Sequence, residues 1–153
     1  SIISNGFSIS PDIIKLFKEM KLQHIQITLD GLKETHNKIK FTKNENDTFS
    51  RTIKNIDLLA SSAPEIRISI RVNMNKENSS EFITLYSFIL QRYKSNPLIG
   101  IYPAFITSTS SKSSSSCSLL FNRQEKSGLG DVYKRQQFMW ISRFLFYRMF
   151  YSK

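Results

Sequence analysis

The chain has 153 residues, 40% apolar and 22% charged, the balance of one ordinary globular domain, which excludes a collagen-like, disulfide-scaffold or wholly disordered protein. Lys and Arg number 22 against 12 Asp and Glu, a net charge of +10, but residues 131–153 carry five basic groups and one acidic, leaving a milder +6 over residues 1–130. A single cysteine, Cys117, permits no intrachain disulfide and no multi-cysteine metal site, and points to a reducing, cytoplasmic compartment.

The chain opens Ser1-Ile2-Ile3 with neither an initiator Met nor a signal-like leader, and is read as starting inside a longer protein. Ser10-Pro11-Asp12 ahead of Ile13, Ile14, Leu16, Phe17 and Met20 supplies a capping hydroxyl, a proline at the first helical position and an apolar face, predicting a helix near 11–21. His24 to Asp30 alternates apolar and polar at period two and stops at Gly31, as a strand does. Thr48 caps a second helix carrying Phe49, Ile53, Ile56, Leu59 and Ala60 on one side. A strand over Ile66 to Asn73 places Ile66, Ile68, Ile70 and Val72 opposite Arg67, Ser69, Arg71 and Asn73. Asn78 or Ser79 caps a third helix with Phe82, Leu85, Ile89 and Tyr93, and Leu98 to Ile106 reads as the last strand.

Strands and helices alternating in this way predict an α/β fold of consecutive right-handed crossovers on a parallel sheet, an incomplete part of a larger barrel. After residue 106 the character changes. Residues 107–130 open with a Ser-rich low-complexity loop and then resume structure. The tail holds seven aromatics in residues 137–153 and follows Asp131-Val132-Tyr133-Lys134-Arg135-Gln136, a hexapeptide similar to the translation of a transposon-end adaptor used in sequencing libraries. Residues 131–153 are therefore read as an adaptor-derived or chimeric tail, with a basic aromatic surface helix as the alternative. No apolar run reaches the roughly 18 residues of a membrane span.

Ligands of such folds sit at the carboxyl ends of the strands. Those ends are Ser4-Asn5-Gly6, Thr28-Leu29-Asp30-Gly31, Arg71-Val72-Asn73 and Tyr102-Pro103-Ala104. Ile2-Ile3-Ser4-Asn5-Gly6, Ile25 to Gly31 with His36-Asn37, Thr48-Phe49 and Ile70 to Asn78 stand in an order and spacing that, over residues 1–106, resemble the radical S-adenosylmethionine enzymes, in the peptide- and protein-maturing branch that often carries an additional cysteine-rich cluster domain.

The resemblance implies the central part of a partial (β/α)6 barrel. It also implies reductive cleavage of S-adenosylmethionine at a [4Fe–4S] cluster to a 5′-deoxyadenosyl radical, a peptide or small-protein substrate, and a reductant such as flavodoxin or ferredoxin. The family holds its cluster with a C-x3-C-x2-C loop and the methionine amino group with a Gly-Gly-Glu segment. This chain contains neither, so the 153 residues alone are expected to be inactive.

What the chain keeps matches the cosubstrate-binding half. The resemblance assigns Ser4 to the methionine moiety, with Asn5 and Gly6 in the same turn, and Thr28 to the ribose or carboxylate. A plain strand-to-helix turn and a β-branched sheet residue explain these residues equally simply. Asp30 with Gly31 suits turn chemistry, a carboxylate capping the following loop. Arg71, on the polar side of an otherwise apolar strand, suits a bidentate partner for the amino-acid carboxylate, assisted by Asn73, against an edge-strand Arg in water and a strand-end cap.

His24 and His36 lack further ligands at metal spacing and are read as structural or solvent-exposed. Lys38, Lys40 and Lys43 are assigned to a polar loop, and Lys15, Lys18 and Lys21 to an outer helix face. No nucleic-acid or membrane partner is expected. The competing readings are a non-catalytic α/β anion- or nucleotide-binding module and a cluster-free pseudoenzyme partner.

Overall fold

The computed structural model describes residues 1–43 and 45–106. The elements in chain order are β1 (Ile2–Ser4), α1 (Pro11–Glu19), β2 (His24–Leu29), α2 (Lys33–Ile39), α3 (Thr48–Ser62), β3 (Arg67–Met74), a 3-10 turn (Ser79–Glu81), α4 (Phe82–Arg92) and β4 (Ile99–Phe105). The four strands form one parallel sheet in the order β1-β2-β3-β4, each joined to the next across a helical crossover. The α/β class and its parallel sheet are thus as the alternation of patterns predicts. The expectations for residues 107–130 and 131–153, Cys117 included, lie outside the described residues.

Local chemistry accounts for the helix limits. Ser10 Oγ accepts the amide of Ile13 and Pro11 begins α1. At its other end the amides of Lys21 and Leu22 bond to the carbonyls of Lys18 and Phe17, a closure that puts Lys21 at φ +51° in the left-handed region usually given to glycine. The cap of α3 is Asp47, whose carboxylate accepts the amide of Ser50, and Thr48 is the first helical residue rather than the cap. Asp47 also meets Lys33 at 2.6 Å, and that contact holds its carboxyl well below the usual carboxylate range.

One helix departs from expectation. Residues 33–39 form α2, so Lys38 lies in a helix and not in a polar loop. The inward residue of α2 is His36, 2% exposed, while Ile39 is 48% exposed, so the segment has no apolar stripe to announce it.

The apolar side of the sheet (Ile25, Ile27, Leu29, Ile68, Ile70, Val72, Met74, Ile99 and Ile101) packs with Ile14 and Phe17 of α1, Ile53, Ile56 and Leu59 of α3, and Leu85 and Ile89 of α4 in one buried cluster. Outside that cluster, α3 and α4 are clasped by Asp57. Its carboxylate accepts Arg92 Nε at 2.9 Å, Arg92 Nη2 at 2.6 Å and the Tyr93 hydroxyl at 2.9 Å. Burial first, and then this hydrogen bond to Asp57, raise the Tyr93 phenol above its ordinary range.

Asp57→Ala is expected to lower stability by about 1–2 kcal/mol, chiefly because the Tyr93 hydroxyl is left without its acceptor. The more exposed Arg92 pair contributes little. Urea unfolding checks this, and adding Tyr93→Phe to Asp57→Ala is expected to cost nothing further.

Candidate functional site at the strand ends

Strand register separates the two sides of the sheet. Thr28 is paired with Arg71 and Arg71 with Tyr102, so these three form one row across β2, β3 and β4. The next row toward the amino ends is Ile3, Gln26, Ser69 and Gly100, and the next toward the carboxyl ends contains Asn73 and Ala104. This is the side that α1, α3 and α4 leave uncovered, and its residues are polar where the opposite side is aliphatic. Tyr102 donates its hydroxyl to Gln26 Oε1 at 2.6 Å, and His24 Nε2 lies 2.9 Å from Ser69 Oγ.

Two buried donors on this side have no acceptor: Arg71 Nε and Gln26 Nε2. Burying a polar group unpaired costs about 1–3 kcal/mol, and a charged one more. Their presence in adjacent rows marks a place where the sheet supplies donors and an acceptor must come from elsewhere.

The turn after β1 is held from both sides. Ser4 Oγ accepts the amide of Gly6 at 3.0 Å, and Asn5 Oδ1 accepts that of Phe7. From α3, Asn55 Nδ2 donates to the carbonyls of Gly6 and Phe7, both at 2.8 Å, and Arg51 Nε reaches Phe7 as well. Gly6 has φ +73°, and a Cβ there would stand 2.8 Å from Ile27 Cγ2 and 3.0 Å from Thr52 Cγ2. Glycine is therefore required by both torsion and space. In register, Ser4 pairs with Ile27, which puts it on the helix-facing side, opposite Thr28 and Arg71.

The loop after β2 is built around Asp30, which is 5% exposed. Its Oδ1 accepts Asn73 Nδ2 at 3.2 Å, so this carboxylate joins β2 to β3. Its Oδ2 has no hydrogen bond and lies 3.7 Å from His36 Nδ1 and 3.8 Å from Lys40 Nζ. The Asp30 amide donates to His36 Nδ1 at 3.2 Å, leaving the ring proton of the neutral imidazole on Nε2. Burial lowers the His36 pKa most, opposed by Asp30 and reinforced by Lys40.

Two residues from beyond β3 complete this loop. Asn78 Nδ2 donates to the carbonyls of Asp30 at 2.6 Å and Asn73 at 2.9 Å, while its Oδ1 accepts the amide of Asn75. Glu81 accepts the amide of Leu32 at 2.7 Å and the hydroxyl of Thr35 at 2.5 Å. The structure thus gives Asn78 a different task from helix capping: the 3-10 turn intervenes and α4 starts at Phe82.

Of the residues singled out in the sequence, Thr28, Arg71 and Asn73 share the uncovered side and Asp30 joins them through Asn73. Ser4, Asn5 and Gly6 form a separate turn beside β2 and α3. Asn55, Glu81 and Gln26 carry no mark of a site role in the sequence, and Asn78 reads there as a helix cap. An Asn in mid-helix, where its propensity is poor, is the one signal that could have indicated Asn55.

No family model matches the chain. Over 88 residues, 58% of the chain, it is 33% identical to the cysteine-type anaerobic sulfatase-maturating enzyme of Clostridium novyi (strain NT) and covers 23% of that protein. Over a stretch of the same length it is 26% identical to the Fe-coproporphyrin III synthase of Methanosarcina barkeri (strain Fusaro / DSM 804), covering 21% of it. The likeness to radical S-adenosylmethionine maturases holds. Native anSMEcpe with bound AdoMet superposes with a TM-score of 0.53 and 18% identity, covering 72% of this chain and 30% of that one. The same protein with bound AdoMet and the Kp18Cys peptide gives 0.56 and 17%, covering 80% and 32%.

These solved structures share the fold: the four parallel strands with their helices match part of the α/β architecture of those proteins. The chain spans about a fifth to a quarter of the curated relatives it matches. Among the described residues, no group of three His, Cys, Asp or Glu side chains is placed to hold a metal ion, and no helix is long and apolar enough to cross a membrane.

His36 makes stability depend on pH with a definite sign. Its folded pKa lies below the ordinary imidazole value of about 6.5, so the unfolded chain takes up a proton that the fold resists. The contribution is complete above about pH 6.5 and is lost as the pH falls below that value. His36→Gln is expected to flatten this part of the stability profile relative to the parent chain, as measured by urea midpoints from pH 7.5 to 5. His24 is present in both proteins, so the difference isolates His36. Separately, Asn78→Ala is expected to destabilise by on the order of 1–3 kcal/mol for each buried partner left unpaired, read from the same urea midpoints.

Proposed function

We propose that this chain is the central, cosubstrate-binding part of a radical S-adenosylmethionine enzyme whose substrate is a peptide or small protein. The observation that carries the proposal is Arg71. Its Nε is buried without an acceptor on the uncovered side of the sheet, one residue pair from Thr28 and beside Tyr102. A guanidinium in that position suits a carboxylate, which accepts two parallel N–H bonds.

S-adenosylmethionine fits the residues present. Its carboxylate would lie on Arg71, with Thr28 in the same row and Asn73 next along the strand. When bound, S-adenosylmethionine supplies the adenosyl group from which enzymes of this kind make their hydrogen-abstracting radical.

The chain's own contribution is positional. Asn73, oriented by Asp30, and Asp30, whose loop is fastened by Asn78, keep the carboxyl ends of β2 and β3 at a fixed separation on either side of the ligand. The [4Fe–4S] cluster does not fit this chain by itself, because one cysteine cannot provide three thiolates. We assign the cluster, the peptide site and the site of the electron donor to the whole protein, and expect the 153-residue chain alone to be inactive.

Calorimetric titration with S-adenosylmethionine tests the binding claim. Arg71→Ala is expected to lose on the order of 2–5 kcal/mol of binding free energy, the usual cost of truncating one partner of a buried charge pair. Arg71→Lys is expected to recover only part, because the fork geometry is lost. An unchanged affinity in Arg71→Ala sinks the assignment. For the whole protein, the native locus upstream of codon 1 is expected to encode a C-x3-C-x2-C loop, and a native frame without one would favour the cluster-free reading.

A further inference from the structure

A second concavity lies away from Arg71, between the turn after β1, α2 and the start of α3. It encloses about 140 Å³ and is lined by Asn5, Phe7, His36, Lys40, Phe41, Thr42, Thr48 and Thr52. A volume of about 150 Å³ holds a benzene-sized group, and a water occupies about 30 Å³ of liquid, so the space suits one side chain better than one water.

The hydrogen-bonding character of its lining is set by bonds already made. His36 uses Nδ1 to accept from the Asp30 amide, which leaves Nε2–H as a donor without a partner among the described residues on a side chain only 3% exposed. Thr48 gives its hydroxyl proton to Asn37 Oδ1 at 3.0 Å, so its oxygen is left as an acceptor. The lining therefore offers one donor and one acceptor, His36 Nε2–H and Thr48 Oγ1.

Charge narrows the ligand further. The one cation of the lining, Lys40, is opposite Asp30 Oδ2 at 3.8 Å, and the same carboxylate lies 3.7 Å from the His36 ring. An added carboxylate would meet a buried negative charge whose cation is already shared. A purely apolar group would leave Nε2–H unpaired at the usual cost.

We propose that this cavity binds a carboxamide, with its oxygen on His36 Nε2–H and its NH2 group on Thr48 Oγ1. Phe7 and Phe41 supply aromatic surface to its lining. On the reading of the previous subsection, the carboxamide is an Asn or Gln side chain of the peptide substrate; the cavity chemistry itself does not depend on that reading.

The test uses the full 153-residue chain labelled with ¹⁵N at histidine. There are only two histidines, so the ring nitrogens resolve as two sets, and His24→Gln assigns them. Propionamide is expected to shift His36 Nε2 saturably, leave His24 unmoved, and bind at least tenfold more tightly than propionate. Thr48→Val is expected to weaken propionamide at least fivefold while leaving butanone, an acceptor alone, unaffected. Acetylglutamine methylamide is expected to displace propionamide, and acetylalanine methylamide is not.

A non-saturating shift, equal shifts at both histidines, or propionate binding as well as propionamide would overturn the carboxamide assignment using the parent chain alone. Equal displacement by the two blocked residues would overturn the side-chain assignment. S-adenosylmethionine is titrated into the same sample: its failure to bind with propionamide saturating removes the previous reading and leaves the cavity standing.

Discussion

A parallel sheet has two faces to cover, and in the described part of this chain the helices cover one. Nearly every functional feature follows from that constraint. On the covered face, Ile, Leu and Val fill the space against α1, α3 and α4 and leave no room for polar groups. On the other, the same strands carry Gln26, Thr28, Arg71, Asn73 and Tyr102, held by a few side-chain bonds and leaving two buried donors unsatisfied. A strand whose two faces differ so sharply is committed to one register, since a slip of one residue would drive Arg71 into the aliphatic layer.

The strand ends are held at a distance from their own sequence. Asn55, on α3, carries the turn after β1, while Asn78 and Glu81 carry the loop after β2. Each uses a side chain to satisfy backbone groups that would otherwise be buried and unpaired, and thereby joins one βα unit to the next. The precision of the site rests on this second layer of amides and carboxylates.

Much of this architecture could be read in advance where periodicity was strong. The alternation in His24–Asp30 and Ile66–Asn73 put Arg71 and Asn73 on one side and the aliphatic residues on the other, as the strand register has them. Ser10-Pro11 marked the start of α1 correctly. Failures occurred where a polar residue does the work of an apolar one or where a cap is remote in sequence. α2 was invisible because a histidine is its buried contact and the amide of Leu32, just ahead of it, is satisfied by a glutamate 49 residues away. Asn78 was taken for a helix cap because its spacing allows that role, and only the fold brings the Asp30 carbonyl within its reach. Ser4 and Thr28 look equivalent as small hydroxyl residues at strand ends, yet the parity of the strands puts them on opposite sides of the sheet.

The remote cap on α2 has a consequence for synthesis on the ribosome. A helix of seven residues is too short to persist by its own propensity, and Glu81 fastens its start through the Leu32 amide and the Thr35 hydroxyl. When residues 33–39 leave the exit tunnel, that carboxylate has not yet emerged. The nascent chain must carry this segment as open coil until β3 and the turn after it have emerged, so the first half of the sheet waits for the second before its strand-end loop can close.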